Sequence, residues 1–178
     1  LLAMGKPMVI DADALKALAV IGVVNLNNLA VLTPHLGEAS IILGKHINDT
    51  VEERIRTATE ISSKYNTIVL LKGYVDVIAE PKGNYRIRAH VGHQDMSCGG
   101  TGDVLSGLIA TLVTRTEDTF EAACVAAFVN ALAGELAYYK YFKASPMNLI
   151  KLIPKVLYST DNVIRKLNVL KSVGNLNL

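Results

Sequence analysis

Gly99, Gly100, Thr101, Gly102 and Asp103 stand immediately before the apolar run Val104 to Ala110. Glycines let successive backbone N–H groups converge on one point, and the first turn of a helix exposes amides that carry partial positive charge. A phosphate suits such a place. Asp103 then stands beside that anion, where a carboxylate can take the proton from a hydroxyl that attacks a phosphoryl group. The same residues also read as an ordinary helix start, because Asp is common at caps and in first turns. Gly99, Gly100 and Gly102 together exceed what a cap needs, since each costs backbone entropy on folding.

Thr33-Pro34-His35-Leu36-Gly37-Glu38 is a second group, placed after an apolar strand where open α/β sheets bind ligands. His35 and Glu38 are close enough to serve one site, or Pro34 starts a helix with Glu38 in its first turn and His35 as a cap. Lys72-Gly73 follows another strand, with Asp76 four residues after Lys72. A cation there can meet a nucleotide phosphate, or simply be a solvated lysine before a turn glycine. Asp11 and Asp13, one residue apart on an extended segment, project to the same side as for a metal or substrate, while Asp13 equally serves as a helix cap. His90, His93 and Cys98 flank the glycine loop without metal-ligand spacing, and His46 reads as a surface residue.

The elements that must position these groups follow from the pattern. Pro7 to Ile10, Ala30 to Leu32 and Thr67 to Leu71 read as strands, the last an unbroken apolar run suited to the centre of a sheet covered on both faces. Ala14 to Val20, Leu36 to Leu43 and a segment from Asp49 or Thr50 to Tyr65 read as helices. Asp76 to Glu80 and Tyr85 to Ala89 flank the turn sequence Pro81-Lys82-Gly83-Asn84 and should pair as a hairpin. From Asp103 onward the chain reads as helix, including Glu121 to Tyr139 with Gly134 for close packing. Pro154 is expected to separate a helix over Met147 to Ile153 from another over Asp161 to Leu170.

At 178 residues, 51% hydrophobic and 19% charged, the chain fits a single α/β domain with a sizeable core. A net charge of +2, with seven tyrosines, three phenylalanines and no tryptophan, points away from a nucleic-acid face and towards a small-molecule partner. Two cysteines suit neither a disulfide framework nor a zinc site, which implies a reducing, cytoplasmic setting. Apolar runs such as Ala17 to Val24 fall short of the roughly 18 residues needed to span a bilayer. The abrupt start at Leu1, almost directly into a strand, suggests that residues are missing upstream.

Taken in order, Val9 to Leu15, Leu32 to Glu38, Leu70 to Gly73 and Gly99 to Gly107 resemble the ADP/ATP-dependent NAD(P)HX dehydratase family. The resemblance covers roughly residues 7 to 140 and implies a ribokinase-like three-layer α/β/α fold with a mainly parallel central sheet. It implies that a nucleotide phosphorylates the hydroxyl on hydrated NADH or NADPH, and that loss of phosphate restores the double bond. Asp103 would then be the base and contact the substrate, as would His35. Lys72, Gly73, Tyr74, Val75 and Asp76 would hold the nucleotide, and Gly99, Gly100, Thr101 and Gly102 the transferred phosphate. Glu38 matches a carboxylate near the magnesium-bound phosphate, with Mg²⁺ arriving on ADP or ATP and not in a dedicated protein cage.

By the same resemblance the protein is expected to form homo-oligomers, and to lack N-terminal strands of the sheet. The family domain carries about a hundred further residues upstream, and whether an epimerase domain is fused ahead of it in the full gene is left open by the sequence. Where family members often have Asn-Pro-Gly-Met, this chain has His93-Gln94-Asp95-Met96. Two other readings compete. A vitamin or sugar kinase of the same superfamily uses the same anion hole and base, although such kinases often have Asn-x-x-Glu in place of His35 to Glu38. A non-catalytic nucleotide-binding module has no use for Asp103 beside its anion.

Overall fold

The computed structural model describes residues 4–173. It divides into two compact units, one of Leu1–Val91 with Gly102–Phe128, the other of Gly92–Thr101 with Val129–Leu178. In the first unit the strands are β1 (Met8–Ile10), β2 (Ala30–Leu32), β3 (Ile68–Leu71), β4 (Asp76–Ala79) and β5 (Tyr85–Arg88), in that spatial order. The first two pairings are parallel and the last two antiparallel, so in this chain the sheet is mixed.

The apolar run ending at Leu71 is the central strand, and every residue of β3 is buried. Leu32, Val69, Leu71 and Val77 belong to the core built with Leu15 and Leu18 of α1 (Asp13–Ile21), Ala39 and Ile42 of α2 (Leu36–Leu43) and Ala58, Ile61 and Tyr65 of α3 (Val51–Tyr65). By strand alternation Val31, Ile68, Leu70 and Ile78 face the other side, where they too are buried, as a sheet covered on both faces requires. The hairpin forms as expected, with Asp76 opposite Arg88 and Gly83 at φ 89° in the turn.

Helix starts carry the physics of capping. The Thr50 hydroxyl accepts from the Glu53 N–H at 3.2 Å, and Asn66 closes α3 in the left-handed conformation. The remaining helices are α4 (Thr101–Val113), α5 (Thr119–Tyr141) and α6 (Pro146–Val173). α4 starts two residues ahead of Asp103, which makes Thr101 and Gly102 part of its first turn.

Two expectations are corrected. Pro154 does not end a helix, because α6 runs through it. Proline removes one N–H bond, which would join to the carbonyl of Ile150, and both residues lie on an exposed stripe while Leu149, Leu152 and Val156 are buried. Nor do all the apolar segments fall short of a membrane span. α5 is long and apolar enough by length and composition, its Ala-rich stretch lengthened by helical continuity beyond the uninterrupted apolar runs, and most of its most apolar window is buried in the protein.

Candidate functional site

Lys72, at the C-terminal end of β3, reaches Asp11 at the end of β1, with Nζ to Oδ1 at 2.7 Å. The other carboxylate oxygen accepts from the Ser106 hydroxyl of α4 at 2.6 Å. Burial pushes the Asp11 carboxyl up, but the Lys72 and Ser106 hydrogen bonds and the Lys72 charge outweigh it and hold the group below its ordinary value. A Cβ on Gly102 would lie 3.6 Å from Lys72 Nζ, so the ammonium rests against the first turn of α4.

Asp11 and Asp13 do not project together, contrary to the reading of an extended segment. Ala12 between them adopts φ 50°, ψ −126°, which abolishes strand alternation. Asp11 turns inward, and Asp13 stands exposed with Lys16 at 2.8 Å. Asp103 is exposed in the first turn of α4, and none of the described side chains engages its carboxylate. The N–H groups of that turn have no intrahelical acceptor, the usual condition of a helix start.

His35 bridges to Lys72 in parallel register, and the Lys72 N–H donates to the Pro34 carbonyl at 2.8 Å. The His35 side chain accepts from the Glu38 N–H at 3.2 Å while Glu38 accepts from the His35 N–H at 2.9 Å, a complete capping box. Gly37 makes room for it, since a Cβ there would lie 2.9 Å from His35 Cε1. Glu38 is buried by this arrangement and the His35 ring is exposed.

The Lys72–Asp76 loop is held by two arginines that sequence reasoning did not single out. Arg54 Nη1 donates to the carbonyls of Lys72 at 3.2 Å and Val75 at 3.3 Å, while its Nε donates to Asp49 at 2.6 Å. Arg88 pairs with Asp76 at 2.8 Å and donates to the Gly73 carbonyl at 3.0 Å. The Gly73 N–H closes the loop on Asp76 at 2.9 Å. Burial pushes the Asp76 carboxyl up, against the pull of Arg88 and the Gly73 N–H. Val75 is buried, and Tyr74 is exposed with the Arg54 guanidinium 4.8 Å from its ring centre. The alternating Arg86 and Arg88 of the hairpin were the available signal for one arginine. For Arg54, in the first turn of α3 among the charged residues Glu52, Glu53 and Arg56, there was none.

In the second unit, Gly99 and Gly100 form the turn before α4, Gly100 at φ 92°. The Thr101 hydroxyl lies 2.6 Å from the Met96 carbonyl and 3.0 Å from that of Cys98, which ties the turn to the preceding 3-10 segment Gln94–Ser97. His93 stacks on Tyr138 at 3.6 Å, and Asp95 accepts from the Ala144 N–H at 2.6 Å and pairs with Lys143 at 3.0 Å. His46 is exposed. Among the described residues no group of three His, Cys, Asp or Glu converges as a metal cage.

The family model for NAD(P)H-hydrate dehydratase matches residues 1–155. The chain belongs to the NAD(P)H-hydrate dehydratase family. A bifunctional NAD(P)H-hydrate repair enzyme of Hyperthermus butylicus is 38% identical over 92% of this dehydratase-family chain and 30% of its own length. An ADP-dependent (S)-NAD(P)H-hydrate dehydratase of Nitrosopumilus maritimus is 35% identical over 77% of the chain and 47% of its own length. The Bacillus subtilis ADP/ATP-dependent NAD(P)H-hydrate dehydratase, co-crystallised with ATP/Mg²⁺ and soaked with CoA, aligns at TM-score 0.73 and 28% identity, over 86% of this chain and 56% of that one. The chain thus spans between about a third and just over half of these relatives, and its fold is ribokinase-like.

Proposed function

We propose that this chain carries the nucleotide-dependent dehydration of hydrated NADH or NADPH. The observation that carries the reading is the uncommitted Asp103 carboxylate in the first turn of α4, with the Lys72 ammonium resting beside Gly102 one residue before it. Asp103 takes the proton of the ring hydroxyl as that oxygen attacks the terminal phosphorus of ADP or ATP. The bond from phosphorus to the bridging oxygen breaks, and AMP or ADP leaves. The carbon–oxygen bond then breaks, phosphate departs, and the neighbouring carbon gives up a proton to restore the double bond.

In this reading Lys72, Gly73, Tyr74, Val75 and Asp76 form the nucleotide segment. Asp76 acts there by shaping the loop, and Lys72 by meeting phosphate. The exposed His35 ring contacts substrate, and Gly99, Gly100, Thr101 and Gly102 offer backbone N–H groups to the transferred phosphate. Mg²⁺ comes with the nucleotide, carried on its phosphates. Glu38 remains a candidate for supporting the metal-bound phosphate, with one carboxylate oxygen already in the capping box. Homo-oligomer formation, a cytoplasmic setting and fusion to an epimerase domain belong to the same reading.

The test is recovery of NADH absorbance from hydrated NADH by the full-length protein with Mg²⁺ and either ADP or ATP, beside Asp103→Asn. Recovery that requires nucleotide and is lost in the variant supports the reading and names the donor. A stable phosphorylated product in place of free phosphate would assign the chain to the small-molecule kinases instead.

A further inference from the structure

Both oxygens of Asp11 are occupied, one by Lys72 Nζ at 2.7 Å and the other by Ser106 Oγ at 2.6 Å. These partners lie 61 and 95 residues away in sequence, so the carboxylate joins the ends of two strands to one helix. Side-chain exposures of 16% for Asp11 and 19% for Lys72 leave little room for water to substitute for either bond. The carboxylate also accepts from the Ala12 N–H at 2.9 Å, and Ala12 is held at φ 50°, a conformation alanine adopts only under constraint.

The geometry of α4 gives this bridge a consequence. With about 100° of rotation per residue, Gly102 and Ser106 lie about 40° apart on the helix surface, and Asp103 about 60° from Ser106. The stripe of Gly102 and Ser106 is therefore the one that meets Lys72 and Asp11, and Asp103 stands at its exposed edge. The hydroxyl bond from Ser106 to Asp11 ties this stripe to the end of β1 less than one turn from Asp103, beside the packing of the buried Leu105, Leu108 and Ile109.

We propose that Asp11 and Ser106 are positioning residues of the reaction: Ser106 orients the base Asp103 through Asp11, and Asp11 aims the Lys72 ammonium at the nucleotide. The inference rests on the dehydratase reading above. Proton transfer from a misdirected carboxylate slows the chemical step, whereas nucleotide held by the Lys72 to Asp76 loop is bound as before.

The experiment compares full-length wild type, Asp103→Asn, Ser106→Ala, Ser106→Thr and Asp11→Asn in the hydrated-NADH assay, at varied ADP or ATP. Rates are referred to the folded fraction. For Ser106→Ala the expected result is a kcat lower by about tenfold with the nucleotide KM within about twofold of wild type. Ser106→Thr keeps the hydroxyl and recovers most of kcat. Asp11→Asn lowers kcat and raises nucleotide KM together. An active wild type with Ser106→Ala equal to it, or with Thr no better than Ala, overturns the positioning role and leaves the dehydratase reading standing. A wild type without turnover overturns both.

Discussion

The Arg54 guanidinium occupies the space in which a side chain on Gly73 would lie: a Cβ there would be 2.2 Å from Nη1 and 2.6 Å from Cζ. Arg54 is only 3% exposed and bonded to Asp49, Lys72 and Val75, so it has nowhere to swing. Gly73→Ala must therefore displace the arginine and loosen the loop. We expect a loss of about 2 kcal/mol in urea unfolding and weaker nucleotide binding. Unchanged stability together with unchanged nucleotide affinity would show that the loop tolerates the shift.

Arg88 and Asp76 are 12% and 9% exposed, and each is the other's counter-ion across the hairpin. Removing Arg88 leaves the buried Asp76 carboxylate without its counter-ion, with only the Gly73 N–H, among the described residues, still donating to it. Arg88→Ala is expected to cost about 3–5 kcal/mol, and Arg88→Ala combined with Asp76→Ala less than the sum of the single changes. A double-mutant cycle by chemical denaturation measures the coupling, and strict additivity would rule it out.

Asp103 is exposed and unengaged by any described side chain. Asp103→Asn should leave the unfolding free energy nearly unaltered, within about 0.5 kcal/mol of wild type, while reducing turnover by at least about a hundredfold. Scanning calorimetry beside the absorbance assay separates the two. A large fall in stability would mean that the carboxylate has a structural partner.

Acid should weaken the fold partly through Asp11. Its folded titration lies below the ordinary 3.8, so its stabilising contribution is present above 3.8 and disappears as the pH falls through the folded value. Asp76 acts with opposite sign: it is raised, and stability declines as pH rises from 3.8 through its folded value. Thermal midpoints of wild type and Asp11→Asn, measured from neutral pH into the acid range, should converge at the acid end. Parallel curves would contradict the assignment.

Gly134 lets Met96 lie against α5, because a Cβ at that position would be 2.1 Å from Met96 Sδ. Replacing a mid-helix glycine with alanine gains about 1 kcal/mol in helix propensity, and overpacking costs about 1–3 kcal/mol. The overlap with Sδ, Cε and Cγ together favours the cost. Gly134→Ala is expected to be destabilising by about 1 kcal/mol, whereas the double variant Gly134→Ala with Met96→Ala should regain part of the loss. A net gain for the single variant would show that Met96 simply moves aside.

Local features were legible because they are written in short stretches of chain. The β3 run, the hairpin around Gly83 and the helix beginning at the glycine turn all depend on neighbouring residues, and all three form, α4 starting at Thr101, two residues ahead of Asp103. The His35 to Glu38 cap was one of two readings and is seen, with the His35 ring left exposed. Helix boundaries erred where a local rule was overridden, at Pro154, because burial of Leu149, Leu152 and Val156 continues on both sides of it.

The sequence by itself determined the order of strands and helices, the family and the presence of a carboxylate at the start of α4, since periodicity, turn chemistry and ordered motifs are properties of neighbours along the chain. Tertiary structure alone decided that Asp11 turns away from Asp13 to join Lys72 and Ser106, and that Arg54 and Arg88 hold the Lys72–Asp76 loop. Those contacts bridge up to 95 residues, and their partners are selected by burial of charge in a shared interior, which no local pattern encodes.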